Sequence, residues 1–283
     1  MMLVHDDGQV ALYCEDAVVA LRCLPAGSVD CVVTSPPYWG LRDYRIAGQI
    51  GAEARVSDYV ERLAGVFEEL AVVLAPSGLV WLNLGDSYGG SWGNYVAAGS
   101  AARTAATRSR SPYGCHRPPQ AGRRAKDLVG VPWRVGHALQ DRGWVVRREI
   151  VWHKPNARPE SVRDRFSHRY ETIFALTRDR RDLGETGETY LGETVDTWAG
   201  QDLWTVSAGR SGVGHPAVGT VEIARRCVRL GCRPGGTVLD PFSGSGTTGL
   251  AAREHRCRFI GIDLDPGSHR VALRRLGLDG EQP

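Results

Sequence analysis

The chain has 283 residues, 42% of them hydrophobic, and a formal net charge of +3, so it can bury the core of one large α/β domain or of two small ones. Only two of its 35 basic residues are lysines, so nearly all of them are arginines. The planar guanidinium of arginine fits phosphates and guanine edges, so a nucleic-acid partner is permitted. A GC-rich coding sequence would give the same bias toward arginine. Its seven scattered cysteines form no C-x-x-C pair, which indicates reduced thiols and no metal cluster. It has neither a signal-peptide pattern nor an apolar run near the roughly 20 residues of a membrane span, which indicates a cytoplasmic protein with no membrane partner.

The first elements in the chain are two predicted strands joined by a helical segment. Val10–Tyr13 predicts a short strand, and a weak helical pattern then continues to Leu24. After a Pro-Ala-Gly-Ser turn, the apolar run Val29–Val33 is typical of a buried strand. Asp16 therefore lies at the end of the first of these strands, Val10–Tyr13.

The stretch Thr34–Tyr44 follows the buried strand and predicts an active-site loop. Pro36 and Pro37 fix φ and remove two backbone donors, so the carbonyl groups there point in fixed directions. Together with Ser35 and Tyr38, they offer hydrogen-bond acceptors and an aromatic face, which suits a flat, amino-bearing ring such as a nucleobase. The alternative is an ordinary loop, because proline pairs are common in loops.

A long helix and a second buried strand come next. Apolar residues recur at helical spacing from Ser57, a suitable N-cap, to Leu74, and the Pro-Ser-Gly sequence at 76–78 predicts the end of that helix. The nearly continuous apolar run Leu79–Leu84 predicts a central parallel strand.

Residues 88–126 form a predicted insertion of different composition. They are rich in Gly, Ser, Ala, Pro and Arg and contain few large aliphatic side chains. A loop of this length is usually functional or disordered, and a basic one can become ordered on a polyanion. The insertion is therefore either a DNA-contact loop or a solvated linker. The candidate contacts in it are Arg108, Arg110, Arg123 and Arg124.

The next part of the chain continues the alternation of elements. Pro132–Asp141 predicts a helix, and Val145–Trp152 and Arg169–Leu176 predict strands. The stretch Asp182–Gly200, rich in Gly, Glu and Thr, lacks core periodicity, and residues 178–214 are predicted to form a short variable region, a candidate for target recognition. A helix with apolar positions from Val221 to Leu230 follows.

The last third of the chain contains a glycine-rich turn between a strand and a helix. The strand is Thr237–Asp240, the turn contains the pattern Gly-x-Gly-x-x-Gly at 244–249, and the next strand, Cys257–Asp263, ends in an acid. This context matches a nucleotide-binding fingerprint, in which the acid accepts hydrogen bonds from ribose hydroxyls. The whole alternation of strands and helices predicts a doubly wound, mostly parallel α/β sheet.

The chemistry of this turn favours one cofactor over another. Asp240 ends the strand where a pyrophosphate would meet a negative charge, which disfavours NAD. S-adenosylmethionine carries adenosine, an ammonium and a carboxylate but no phosphate, so it fits the acids, the glycines and the Thr247–Thr248 pair better. The alternative for Asp240 is a purely structural turn residue. The cofactor contacts that this chemistry predicts are Asp240, Gly244, Gly246, Thr247, Thr248 and Asp263.

These two sites together resemble the amino-directed DNA methyltransferases, which modify N4 of cytosine or N6 of adenine. Ser35–Tyr38 is similar to the catalytic motif of that family, and Asp240–Thr248 is similar to its cofactor motif. The catalytic motif precedes the cofactor motif, which is similar to the permuted order called the β group. Further segments that agree are Leu82–Asp86, Lys126–Arg134, Glu149–Asn156 and His168–Glu171, so the resemblance extends from about Val10 to Leu273.

The resemblance implies a single methyltransferase domain over residues 1–283, with a Rossmann-like sheet. It implies that Ser35, Pro36, Pro37 and Tyr38 are catalytic: the Ser35 hydroxyl and the Pro36 carbonyl accept the hydrogens of the amine, and Tyr38 stacks on a base extruded from the duplex. The resemblance implies further cofactor contacts at Asp16, Thr34, Pro241, Phe242 and Ser245. Asp16 would then meet the adenine edge of S-adenosylmethionine, or else be an unpaired surface acid.

The implied partner is double-stranded DNA, contacted in addition by Arg42 and Lys154, in a monomer or homodimer that has a possible cognate restriction endonuclease. The chain departs from the family pattern in two places. The region before His215, where this group usually carries a target-recognition segment, is short, which puts the place of sequence readout in doubt. His215–Thr220 lacks the phenylalanine and the second proline that are common in the corresponding cofactor-side motif. A methyltransferase of RNA or of protein glutamine, an NAD-dependent oxidoreductase and a non-catalytic DNA-binding module remain alternatives.

Overall fold

A computed structural model of the chain describes residues 1–89, 124, 126–157, 165–178, 201–209 and 220–279. Most of the predicted insertion 88–126, including Arg108, Arg110 and Arg123, lies outside the described residues, as does most of the variable region 178–214. Among the described helices, none is long and apolar enough to cross a membrane. The described part also holds no group of three or more His, Cys, Asp or Glu arranged for a metal ion.

The described residues form one nine-stranded sheet with six helices packed against it. The strands are β1 Met2–Asp6, β2 Val10–Cys14, β3 Val29–Thr34, β4 Leu74–Leu84, β5 Val145–His153, β6 Tyr170–Thr177, β7 Leu203–Thr205, β8 Thr237–Asp240 and β9 Arg258–Asp263. The helices are α1 Ala17–Leu21, α2 Val56–Val73, α3 Val131–Asp141, α4 Val221–Gly231, α5 Thr247–Glu254 and α6 Pro266–Leu276.

The strand order in the sheet is β1-β2-β9-β8-β3-β4-β6-β5-β7. The five strands from β2 to β4 in this order run parallel, whereas β6 is antiparallel to both of its neighbours and β1 is antiparallel to β2. The carboxyl ends of β2, β9, β8, β3 and β4 therefore meet at one edge of the sheet, the place where open α/β sheets bind ligands.

Helices cover both faces of the sheet, and each face has its own buried core. One core joins apolar side chains of α1, α2 and α3 to the sheet, with Phe67 and Leu139 fully buried. The other joins α4, α5 and α6 to the opposite face, where Val228 and Phe259 are buried. The predicted doubly wound, mostly parallel fold is therefore confirmed.

Two details of the sheet differ from the sequence prediction. The Pro-Ser-Gly sequence at 76–78 does not separate helix from strand, because β4 already begins at Leu74, which pairs with Val29 before the register shifts. The edge strands β1 and β7 were not predicted: β1 is mostly exposed and has a run of apolar residues only from Met2 to Val4, and β7 has only three residues.

Candidate active site

The two loops singled out in the sequence line one cavity of about 1080 Å³ at the carboxyl edge of the parallel strands. The Ser35–Tyr38 loop follows β3, and the glycine-rich turn at 244–246 follows β8, its immediate neighbour in the sheet. Asp16 after β2 and Asp263 at the end of β9 complete the same wall. The sheet topology thus brings together residues more than 200 positions apart in the chain.

Asp240 connects the two loops. Its Oδ1 accepts hydrogen bonds from Thr34 Oγ1 at 2.8 Å and from the Phe242 amide at 3.1 Å, and its Oδ2 accepts one from Thr248 Oγ1 at 2.7 Å. Its side chain is buried, and burial raises its pKa from 3.8 to about 6. Although Asp240 lines the cavity, both of its oxygens accept hydrogen bonds from residues of the protein itself. This arrangement favours the structural role for Asp240, one of the two roles that the sequence left open.

Replacing Asp240 by Asn should change how stability depends on pH. Because the folded pKa of about 6 lies above the unfolded value of 3.8, the contribution of this group is fully present below pH 3.8 and is lost as pH rises through 6. From about pH 4 to pH 7, the wild type should therefore lose up to about 3 kcal/mol of unfolding free energy relative to Asp240→Asn. Urea unfolding at several pH values measures this difference. A difference between the two proteins that stays constant with pH would contradict it.

The carboxylate of Asp263 holds the glycine-rich turn. Its Oδ2 accepts the Gly244 amide at 2.8 Å and its Oδ1 accepts the Asp265 amide at 2.8 Å, while burial raises its pKa. Each carboxylate oxygen can accept more than one hydrogen bond, so Asp263 can also receive a ribose hydroxyl. Asp16 is not an unpaired surface acid, because its Oδ1 caps α1 by accepting the Val18 amide at 2.9 Å.

Arg275, which the sequence analysis missed, braces the turn from α6. Its Nη1 donates to Ser245 O at 2.7 Å, to Ser245 Oγ at 2.6 Å and to Thr247 Oγ1 at 2.9 Å. Burial lowers its pKa. The side chains of Ser245 and Thr247, both predicted to contact the cofactor, therefore also hold the turn in place through Arg275. Arg275 lies beyond every recognised motif, so no sequence signal pointed to it.

We expect Arg275→Met to weaken the turn without stopping the chemistry. Three hydrogen bonds to the turn are lost, so the KM for S-adenosylmethionine should rise by about tenfold while kcat changes much less. The matched control is Arg274→Met, since Arg274 is on the same helix with a largely exposed side chain and makes a 3.8 Å pair with Asp279. Steady-state kinetics of both variants test this. An unchanged KM in Arg275→Met would contradict the bracing role.

A hydrogen-bonded network joins the Ser35–Tyr38 loop to β4, to β6 and to Lys154, the residue after β5. The hydroxyl of Tyr38 donates to Glu171 Oε2 at 2.7 Å, and Asn83 Nδ2 donates to the same oxygen at 2.7 Å. Asn83 Nδ2 also lies 3.1 Å from Ser35 Oγ, and Lys154 Nζ forms an ion pair with Glu171 Oε1. One carboxylate thus positions both polar side chains of the loop.

The ring of Tyr38, in addition to its hydroxyl, is held in place. A Cβ atom at Gly85 would lie 2.7 Å from Tyr38 Cε2, so glycine is the residue that leaves room for this ring. Burial and the Glu171 carboxylate raise the pKa of Tyr38 well above its ordinary value, which keeps the hydroxyl protonated and donating. Tyr38 remains partly exposed and lines the cavity.

The predicted DNA contacts are placed in different ways. Arg42 lines the cavity, and its Nη1 is buried without a hydrogen-bond partner in the described structure. Lys154 also lines the cavity, but it is paired with Glu171 and lies 4.2 Å from the centre of the Trp152 ring, so it does not project from the surface as a free phosphate contact. Arg124 is exposed. These DNA contacts stay predictions.

The wall around the glycine-rich turn suits S-adenosylmethionine. Glu15, Asp16, Asp263 and Asp265 all line this part of the cavity, and their carboxylates oppose a pyrophosphate but favour a ligand that carries cationic groups and hydroxyls. A glycine at 246 is required, because its φ is +73° and a Cβ there would approach Ala272 Cβ to 3.1 Å.

Comparison with known proteins agrees with this geometry. Residues 29–274 match the N6/N4 family described as DNA methylase. The chain is 40% identical to the Type II methyltransferase M.SmaI of Serratia marcescens, over 92% of this chain and 88% of that protein. It is also 40% identical to M.Cfr9I of Citrobacter freundii, over 92% and 85% of the two chains.

Solved structures show the same fold. TTHA0409 of Thermus thermophilus, in complex with S-adenosyl-L-methionine, matches with a TM-score of 0.65 at 23% identity, covering 95% of each chain. The PvuII DNA methyltransferase (cytosine-N4-specific) matches with a TM-score of 0.70 at 18% identity, covering 98% of this chain and 89% of that one.

A mostly parallel sheet with a glycine-rich turn and a Ser-Pro-Pro-Tyr loop at one cavity is the architecture of an S-adenosylmethionine-dependent methyltransferase. The chain belongs to the N6/N4 DNA methylase family, and it is a DNA methyltransferase that acts on an exocyclic amine. The predictions of family, activity and cofactor are therefore confirmed.

Proposed function

We propose that Ser35 and Pro36 form the corner that grips the exocyclic amino group of the target base. An exocyclic amine is a poor nucleophile because its lone pair is delocalised into the ring. Two acceptors for its hydrogens, Ser35 Oγ and the Pro36 carbonyl, would favour the pyramidal amine and direct its lone pair at the methyl group. The observation that carries this proposal is the single cavity shared by Ser35 and the glycine-rich turn.

The network behind the corner supports these roles. Asn83 Nδ2 donates to Ser35 Oγ, which orients the hydroxyl and leaves it a further lone pair for the amine. Glu171 fixes the Tyr38 hydroxyl, so the exposed part of the Tyr38 ring stays in place as a stacking surface for the base. The base must leave the duplex to reach this corner, at a cost of roughly a few kcal/mol that stacking and backbone contacts must offset.

The cofactor side has its own proposed contacts. When bound, S-adenosylmethionine supplies an electrophilic methyl group on a sulfonium. Asp263 would accept its ribose hydroxyls and Asp16 would meet its adenine edge, while Gly244 and Gly246 let the backbone approach closely.

Nucleoside analysis tests the proposed reaction. DNA treated with the enzyme and labelled cofactor is digested and analysed by mass spectrometry, and we expect the label in N4-methylcytosine or N6-methyladenine, since the corner fits either amine. Label in 5-methylcytosine, or only in RNA or protein, would reject the proposal. The same DNA, sequenced for modified positions, gives the recognition sequence.

We also propose a biological setting. Two relatives that are 40% identical to the chain are Type II methyltransferases, which supports a cognate restriction endonuclease that cuts the same sequence when it is unmodified. Protection of host DNA would place the enzyme in the cytoplasm, where it acts on double-stranded DNA as a monomer or homodimer. Sedimentation of the purified chain with and without duplex measures its oligomeric state.

A further inference from the structure

Phe166 has the most exposed large hydrophobic side chain in the described part of the chain. Its relative exposure is 96%, whereas the other exposed large apolar residues range from 39% to 58%. A phenyl ring left wholly in water gains none of the free energy that its burial would provide. Its position therefore needs an explanation from what surrounds it.

The segment around Phe166 is anchored on both sides. Arg165 stacks on the Tyr88 ring with its Cζ 3.7 Å from the ring centre, and His168 packs against both Tyr88 at 5.6 Å and Tyr170 at 5.3 Å. The Arg169 carbonyl accepts the Lys154 amide at 2.7 Å. These contacts hold the backbone of the segment while the phenyl ring between them points into solvent.

The anchored segment lies at the active-site cavity. His168 lines the cavity, and Phe166 is two residues away, at most about 7 Å along an extended chain. Arg165 and the exposed Arg169 add positive charge before and after Phe166 in the chain. An exposed apolar ring in a basic segment, beside a pocket for an extruded base, matches a duplex in which phosphates flank an unstacked base step.

We propose that Phe166 is a wedge that enters the duplex and fills the space left by the extruded base. This inference rests on the proposed function, because a wedge is needed only if the target base leaves the helix. Apolar side chains inserted between base steps stabilise unstacked DNA, and the ring would replace the stacking that the target base gives up. The anchored backbone lowers the entropy lost when the wedge is held in one position.

The test compares Phe166→Ala on two substrates that carry the recognition sequence. On a fully paired duplex, kcat/KM for methyl transfer should fall by about tenfold or more. On a duplex with an abasic site opposite the target base, extrusion costs less, so the loss should shrink to about twofold. Phe166→Leu, which keeps an apolar wedge, should retain most of the activity on the paired duplex.

The control variant is Val72→Ala. Val72 is 58% exposed near the end of α2, just before β4 begins at the sheet edge opposite the cavity, so its truncation should leave both substrates unaffected. Melting temperatures of all variants check that folding is intact.

Three results would overturn the wedge. They are an equal loss by Phe166→Ala on both substrates, no loss on either, and a change in sedimentation mass without a duplex-specific loss, which would make the ring an interface between copies of the chain. If the wild type transfers no methyl group to any DNA, the proposed function itself fails, and that outcome is distinct from the other three.

Discussion

Ser35→Ala is expected to lower kcat by about 10²-fold or more while leaving cofactor binding intact. The substitution removes the acceptor that we propose for a hydrogen of the amine as its nitrogen becomes pyramidal, and the loss of one preorganised polar group in an active site typically costs this much. Ser35 lies in the loop after β3 and not in the glycine-rich turn, so the Kd for S-adenosylmethionine, measured by calorimetry, should change by less than about twofold.

The matched control for this prediction is Ser57→Ala. Ser57 is exposed on α2, where its hydroxyl contacts only Asp58 at 3.1 Å among the described hydrogen bonds. Its removal should leave kcat unchanged. Single-turnover rates of methyl transfer compare the two variants. A Ser35→Ala enzyme that reacts within about twofold of the wild type would refute the proposed role of the corner formed by Ser35 and Pro36.

Glu171→Ala should be damaging in two ways. It removes the shared acceptor of Tyr38 and Asn83, so the corner loses its alignment, and misplacement by about 1 Å can cost 10²-fold in kcat. It also leaves the Lys154 ammonium, 18% exposed, without its carboxylate, which should lower the unfolding free energy by about 3 kcal/mol.

A double variant separates position from charge. Glu171→Gln keeps an oxygen for Tyr38 and Asn83, and Lys154→Met removes the cation that would otherwise lack a partner. The combined variant should recover much of the stability and kcat that Glu171→Ala loses. Should it prove as inactive as Glu171→Ala, the charge of Glu171 rather than its geometry would be what matters.

The control for this pair is Glu254→Ala. It breaks an ion pair with Arg225 in which both side chains are nearly half exposed. Exposed pairs contribute about 0 to 1 kcal/mol, so this variant should keep both its stability and its kcat. Urea unfolding and single-turnover kinetics on the three variants give the comparison.

The fold was predictable where strands are apolar and turns carry glycine or proline. β3 and β8 are short, almost wholly buried runs, each followed by a distinctive loop, and parallel strands bring such loops to one edge. β7 was not predictable, because three residues carry no periodicity, and neither was the placement of β6 antiparallel between β4 and β5, which depends on long-range pairing.

The motif residues of the site were predictable from the sequence, but the residues that hydrogen-bond to them and hold them in position were not. Ser35 and Gly244 lie in loops with a recognisable pattern. The bond from Asn83 to Glu171 spans 88 positions and that from Arg275 to Ser245 spans 30, and neither spacing has a local signature. Lys154 was predicted as a DNA contact, and its ion pair with Glu171 became visible only when β5 and β6 paired.

The most direct test of the account is a crystal structure of the enzyme with S-adenosylhomocysteine and a duplex that carries the recognition sequence. We expect an extruded base whose amino nitrogen lies within about 3 to 3.5 Å of Ser35 Oγ, with the thioether sulfur facing that nitrogen and the adenosine at the 244–246 turn. A base that stays stacked in the duplex, or an adenosine bound away from that turn, would contradict it.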